Sequence, residues 1–484
     1  MENPQIKLAE EAINEENPWS DDKLKRQEAA KDLTNLLENQ EDALTISLNG
    51  EWGSGKTFML KRWQQQLKND GYFAIYFNAW EDDFLTDPFV AIIGQLWKEL
   101  RASSLKELCQ TVKDAAIPFL KHAGVSLLNN GFEKLTGTNL ATITEEELKT
   151  ASESAFDKYV SLIGCREDLK RRLQDLADSI FTESGRPLIF IIDELDRCRP
   201  TFAIEVLERI KHLFHIKHII FVLGIDRKQL GKSIQAVYGE IDVENYLHRF
   251  IDLDFSIPLN DPEIFFNALW ERYSIPQHLA DKANFENRNT FDIDEGESFR
   301  WACYAILSWH HFSLREIEQI LKIYTLLLRS TKPHHFTWPH LAPILIFLKL
   351  KYPELYHQYI AGKCTVSEIA DTIIPANCPQ KEDDRIYEVL VAVVYASFVS
   401  DYPHTEQETS ILELLEQIKQ KKTLSTSAYC AQCLLNKTES FYTNFVDIFS
   451  RLRNTFQHSS EYNSETLRRL ANKIDLIKSG SSDF

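Results

Sequence analysis

Long apolar runs are the first thing this chain lacks. No stretch reaches the ~18–20 apolar residues that a membrane-spanning helix needs. The nearest, Leu341 to Leu348, is short and contains Pro343, so no membrane span is expected. Positive charge is also scarce: 54 Lys and Arg stand against 72 Asp and Glu, a formal net charge of −18. That balance disfavours bulk binding to DNA or to anionic membrane, and nucleic acid is not indicated as a partner. Two local basic runs, Lys23-Leu24-Lys25-Arg26 and Lys170-Arg171-Arg172, read as solvated helix faces. The eight cysteines are scattered, and residues 1–30 are charged throughout, without the apolar segment of a secretory leader. The expectation is a cytoplasmic protein with reduced thiols. Cys430-Ala-Gln-Cys433 is a C-x-x-C, but Cys364 and Cys378 do not complete a zinc site with it, and no nearby His pair does. No repeat of the ~20–50-residue kind is evident.

What the chain does have is a phosphate-binding pattern. The apolar run Leu44 to Leu48 leads into Gly50-Glu51-Trp52-Gly53-Ser54-Gly55-Lys56-Thr57, a strand followed by G-x-x-x-x-G-K-T. Glycines let the backbone approach a ligand and take positive φ. Successive N–H groups and the N-terminus of the next helix then face an anion. In this pattern Lys56 reaches the β- and γ-phosphates and the Thr57 hydroxyl ligates Mg²⁺. Phe58 follows, opening a helix to Lys68 that Gly71 caps. A second strand, Tyr72 to Phe77, runs into Asn78-Ala79-Trp80. The strand–helix–strand order implies a parallel sheet.

Leu188 to Ile192 is apolar at every position, as a strand buried on both faces should be. It ends in Asp193-Glu194-Leu195-Asp196-Arg197. Acids at the carboxyl end of such a strand stand where parallel sheets bind ligands. Asp193 is the candidate Mg²⁺ acid, and Glu194 is placed to activate an attacking water. A further strand, His218 to Gly224, ends at Asp226, which either senses the γ-phosphate or caps the next helix. Arg249, just before the last strand (Ile251 to Ile257), is either an arginine finger for a neighbouring subunit or a structural ion-pair partner.

Residues 21–260 are therefore read as the nucleotide-binding core, after a flexible 1–20, with a helical insertion over 100–180. Residues 261–335 are read as a helical lid-like subdomain and 336–484 as an all-α region that binds a partner. Within the lid, Ser313 and Glu316 form a capping box, and Arg315 is a candidate to fold back on the nucleotide. The stretch 276–298 reads as polar loop.

Four segments together resemble the KAP family of P-loop NTPases. They are the Trp-containing loop 50–57, Phe77-Asn-Ala-Trp80, Ile191-Ile-Asp-Glu-Leu-Asp-Arg-Cys198 with Pro200, and Phe221-Val-Leu-Gly-Ile-Asp-Arg227 followed by Tyr246-Leu-His-Arg-Phe250 and Phe255-Ser-Ile-Pro258. The resemblance covers roughly residues 20–330. It implies an α/β, ASCE-type ATPase core similar to AAA+ proteins, with Asp193 the Mg²⁺ acid and Glu194 the catalytic carboxylate. It also implies a role in bacterial phage exclusion or signalling assemblies. Many family members carry membrane helices between the two Walker motifs; here 102–145 is too charged and interrupted to span. Two functions stay open. One is an ATPase that drives an assembly or switch, acting with a defence effector and as a homo-oligomer. The other is a nucleotide-gated scaffold with little hydrolysis. A DNA translocase fits the charge poorly.

Overall fold

The computed structural model describes residues 12–38, 40–85, 87–100, 105–122, 155–258, 261–283, 294–332, 337–373, 390, 392–394, 396–397 and 466–476. Two units divide the chain, Ala9–Asn260 and the stretch from Asp261 onward.

The first unit is built on five parallel strands: β1 (Leu44–Asn49), β2 (Ala74–Asn78), β3 (Leu188–Asp193), β4 (Ile219–Ile225) and β5 (Leu253–Ser256). Their order is β2-β3-β4-β1-β5. One strand therefore stands between β1, which feeds the glycine loop, and β3, which ends in the acids. That is the arrangement of the ASCE class of P-loop NTPases, and the fold is α/β with helices on both faces. β3 and β4 are buried at every residue. Their side chains alternate between two cores. Phe190, Ile192, Phe221 and Leu223 face one; Ile189, Ile191, Ile220 and Val222 face the other.

Helices α1 (Arg26–Leu37) and α2 (Lys56–Asn69) cover the second face through Ala30, Leu33, Met59 and Trp63. Gly71 ends α2 at φ 83°, where Tyr72 N–H reaches back to Leu67 O at 2.9 Å. The opposite face is covered by α3 (Pro88–Leu100), α4 (Lys106–His122), α5 (Ala155–Ser184), α6 (Pro200–Leu213) and α7 (Arg227–Tyr238). α4 and α5 fall within the expected insertion over 100–180; its residues 123–154 lie outside the described residues. A short α8 (Val243–Leu247) precedes β5.

The second unit is helical in its described parts: α9 (Pro262–Arg272), α10 (Ile275–Ala283), α11 (Glu295–Trp309), α12 (Leu314–Ser330), α13 (Leu341–Lys351), α14 (Pro353–Ile360), α15 (Val366–Ile373) and α16 (Thr466–Leu476). Trp270, Phe299 and Tyr324 stack in its core. The capping box at Ser313 and Glu316 is present. The reading of 276–298 as loop is corrected in part, because Ile275–Ala283 is helix. Fully buried Ile275 anchors its start, and Leu279 packs near Gly296, contacts a local polar count does not register. Contacts also run across residue 336: Phe312 meets Phe347 at 5.9 Å, and Lys351 pairs with Glu316 at 2.5 Å. The Cys430–Cys433 pair and residues 398–465 of the expected all-α region lie outside the described residues. Among the described residues no helix is long and apolar enough to cross a membrane.

Candidate functional site

The glycine loop closes at the carboxyl edge of the sheet. Gly50 N–H donates to Ile225 O at 3.1 Å, tying the loop's first residue to the end of β4. Gly53 and Gly55 take φ 80° and 88°, conformations that favour glycine. Gly50 is required for space, since a Cβ there would lie 2.6 Å from Ser54 Oγ. α2 starts at Lys56, so its first N–H groups line the loop. Lys56 is buried and bends back, with Nζ donating to Gly50 O at 2.6 Å and Glu51 O at 3.3 Å. Burial lowers its pKa, opposed by the charges of Asp196, Asp226 and Asp193.

Asp193 closes β3 beneath this loop and is fully buried. Tyr76 donates its hydroxyl to Asp193 Oδ2 at 2.8 Å, Glu194 N–H donates to Oδ1 at 2.9 Å, and the Thr57 hydroxyl donates to the same carboxylate. Burial raises the Asp193 pKa, and the Thr57 and Tyr76 hydrogen bonds hold it back. Glu194 adopts φ 60°, an unusual conformation for a side-chain-bearing residue and a frequent mark of a functional turn. Its carboxylate pairs with Arg197 at 2.9 Å and accepts from Asn78 Nδ2 at 3.3 Å. Burial raises its pKa, with Arg197 opposing.

Trp52 belongs to the same constellation. Its indole N–H donates to Asp196, and its backbone N–H donates to Asp226 Oδ2 at 3.2 Å. Asp226 caps α7 through Lys228 N–H and Gln229 N–H. The structure thus shows the capping arrangement at Asp226, with the same side chain also holding the loop. Glu51 meets Lys228 Nζ at 3.1 Å.

A family model described as the KAP family P-loop domain matches residues 26–339, more than half of the 484. The chain belongs to the KAP family of P-loop NTPases. A curated relative, the phage T7 exclusion protein of Escherichia coli (strain K12), is 22% identical over 250 residues, 46% of this KAP chain and 30% of its own length. The match therefore spans less than a third of that relative. Among solved structures, the Aeropyrum pernix ORC2 protein in its ADPNP–ADP complexes is similar at 11% identity and TM-score 0.31, covering 93% of this chain and 94% of that one. Drosophila ORC bound to GC-rich DNA and Cdc6 gives 13% identity and TM-score 0.31, covering 92% and 64%. At such TM-scores the likeness carries no argument, and the KAP assignment stands on the family match, the strand order and the loop.

The KAP site brings together residues 50–58, Asp193, Glu194 and Asp226. It does not bring Arg249 to them. Arg249 precedes β5 at the opposite, amino edge of the sheet, where Asp252 N–H donates to Thr45 O at 2.8 Å. There it lines a cavity of about 660 Å³ with Tyr238, Tyr246, Phe250 and Lys211. The direction of β5, parallel to β1, keeps Arg249 away from the loop of its own chain, so a finger role would act on a neighbouring subunit, as the sequence reading has it. Arg315 lies in the first turn of α12, in the second unit.

Local reading missed several participants. Arg26, taken as part of a solvated basic run, is 1% exposed and donates to Ser54 O at 2.8 Å. Burial lowers its pKa to about 10. Tyr76, Asn78 and Asp196 were equally inconspicuous. The last two sat inside quoted motifs, Asn-Ala-Trp and Asp-Arg-Cys, and that was the available signal. Among the described residues no cluster of three or more acids, His or Cys could cage a metal. Mg²⁺ in a nucleotide site needs one or two protein oxygens plus phosphates and water. The adjoining Thr57 hydroxyl and Asp193 carboxylate fit such a role.

Proposed function

We propose that this chain binds ATP with Mg²⁺ at the Gly50–Thr57 loop and hydrolyses its β–γ phosphoanhydride. The observation that supports the reading is the junction of Thr57, Asp193 and Glu194 beside the loop of Lys56. Loop N–H groups and the start of α2 hold the phosphates. Lys56 turns from its own loop carbonyls to the phosphate oxygens. Thr57 and Asp193 would hold Mg²⁺, which would supply charge neutralisation for the phosphates. Glu194 orients a water in line with the γ-phosphorus and accepts its proton, once freed from Arg197 and Asn78. Asp226 and Phe58 complete the nucleotide contacts, and Arg249 acts on a neighbouring copy's site in a homo-oligomer. Similarity to a phage exclusion protein supports a role in cytoplasmic antiviral defence. In that role the helices after residue 336 engage a protein effector.

The ion pair between Glu194 and Arg197 favours a second reading, a nucleotide-gated scaffold that turns over slowly. Phosphate release with and without DNA separates the two. ATPase activity predicts steady turnover that Lys56→Ala abolishes. Glu194→Gln should keep ATP binding and slow hydrolysis about 10²- to 10⁴-fold. Wild-type turnover equal to that of Lys56→Ala would leave the scaffold.

A further inference from the structure

We infer that Trp52 and Asp196 are positioning residues, a hydrogen-bonded strut that pre-sets the phosphate loop for nucleotide. The inference rests on the nucleotide-binding reading above and concerns two residues which the usual chemistry of the loop and of the acidic pair leaves unassigned. In G-x-x-x-x-G-K-T, the third position carries no required side chain. Here it is a tryptophan that leaves 46% of its surface in solvent, so core packing does not account for it. Its polar group is used instead: the indole N–H donates to Asp196.

Asp196 needs that partner. It is 5% exposed, three residues past the end of β3, and its Oδ1 is buried without a hydrogen bond. A buried carboxylate with one unsatisfied oxygen is costly, and loss of its remaining donor costs more. The strut also spans two strand ends. Trp52 N–H holds Asp226 beyond β4 while its side chain holds Asp196 beyond β3. The middle of the loop is thus fixed to both strands that flank the site, and Asp196 lies two residues from Glu194. Loops fixed in the binding geometry lose less entropy when ligand arrives. Two marks of the sequence, the loop tryptophan and the aspartate of Asp-Arg-Cys, become one contact.

The test is a double-mutant cycle read in affinity for Mg²⁺ with a fluorescent, slowly hydrolysed ATP analogue, with Tm measured alongside. Trp52→Phe keeps the ring and removes the donor. Asp196→Ala removes the acceptor; Asp196→Asn keeps an acceptor oxygen and removes the charge. Each of the first two should weaken binding about tenfold, and the double variant no further, as residues in one contact do not add. Asp196→Asn should recover most of the loss. Equal affinities with a lowered Tm would make the contact merely structural and overturn the proposal, as would multiplying losses. Asp196→Asn as weak as Asp196→Ala, with Trp52→Phe unchanged, would assign the effect to charge near Lys56 and also overturn it. A wild-type chain that binds no nucleotide would remove the nucleotide reading itself, and the strut with it.

Discussion

The Tyr76 hydroxyl donates to Asp193 Oδ2 at 2.8 Å, across the neighbouring strands β2 and β3. The partner is buried and its pKa is raised by that burial, so the hydrogen bond is one of the groups keeping it ionised. A metal ligand must be deprotonated, so binding of Mg²⁺ with nucleotide should fail as pH falls through the Asp193 pKa. Tyr76→Phe removes a donor to the charged form and moves that acidic limb to higher pH. Affinity at neutral pH should fall about tenfold, the scale of one hydrogen bond to a charged group. Titration calorimetry over a pH series checks this; an unmoved limb would separate Tyr76 from the metal.

Asp193 should also cost the metal-free protein stability. Its folded-state pKa lies above the unfolded one, so its favourable contribution is complete below the ordinary aspartate range and is lost as pH rises through the folded pKa. Above that pKa the ionised, buried carboxylate opposes folding. Asp193→Asn should therefore raise the metal-free Tm by roughly 2–4 °C, equivalent to about 1 kcal/mol, while weakening Mg²⁺ binding. The gain should vanish in acid, where both side chains are neutral. A Tm lowered at neutral pH would contradict the sign.

Much of this site was legible because its signals are local. The loop needs Gly50, Gly53 and Gly55 at fixed spacing, and β3 is apolar at each residue from Leu188 to Ile192 before meeting two acids. The fold class followed from strands alternating with helices. Strand order did not, because nothing near His218 says that β4 lies between β1 and β3. The distance of Arg249 from its own loop likewise depends on β5 running parallel to β1. Arg26 shows the other failure. Its neighbours in sequence are solvated, but its guanidinium crosses 28 residues of chain to meet Ser54 O. Arg26 extends the buried face of Ala30, Leu33 and Leu37 by one turn, but its charge hides that register from a pattern of apolar residues.

Gly224 is legible only from the structure. A Cβ there would lie 2.4 Å from Leu60 Cδ1 and 2.7 Å from Asp193 Oδ1. It sits beside Asp193 in the β3–β4 register, so an added methyl must displace either α2 or the acid. Gly224→Ala should destabilise by about 1–3 kcal/mol, the usual range for overpacking a core. Gly164→Ala, on α5 with nothing within 4 Å, is the control; it should be neutral or stabilising by up to about 1 kcal/mol. Chemical denaturation distinguishes them. Equal midpoints would mean that α2 and β4 are less tightly apposed than these distances imply.

Arg249 supplies the sharpest test of assembly. It lies at the amino edge of the sheet, opposite the loop of its own chain, so Arg249→Ala should leave nucleotide affinity within about twofold of wild type in dilute protein. If it completes a neighbour's site, turnover should rise with protein concentration in the wild type and lose that rise in the variant. The magnitude follows the arginine fingers of other P-loop enzymes, about 10³-fold or more at saturation. Mixing Arg249→Ala with Lys56→Ala chains refines the result. Each would lack what the other supplies, so a trans arrangement predicts activity in the mixture above either variant alone. Turnover independent of concentration, and unaffected by Arg249→Ala, would make this arginine part of the Tyr238–Tyr246–Phe250 cavity and nothing more.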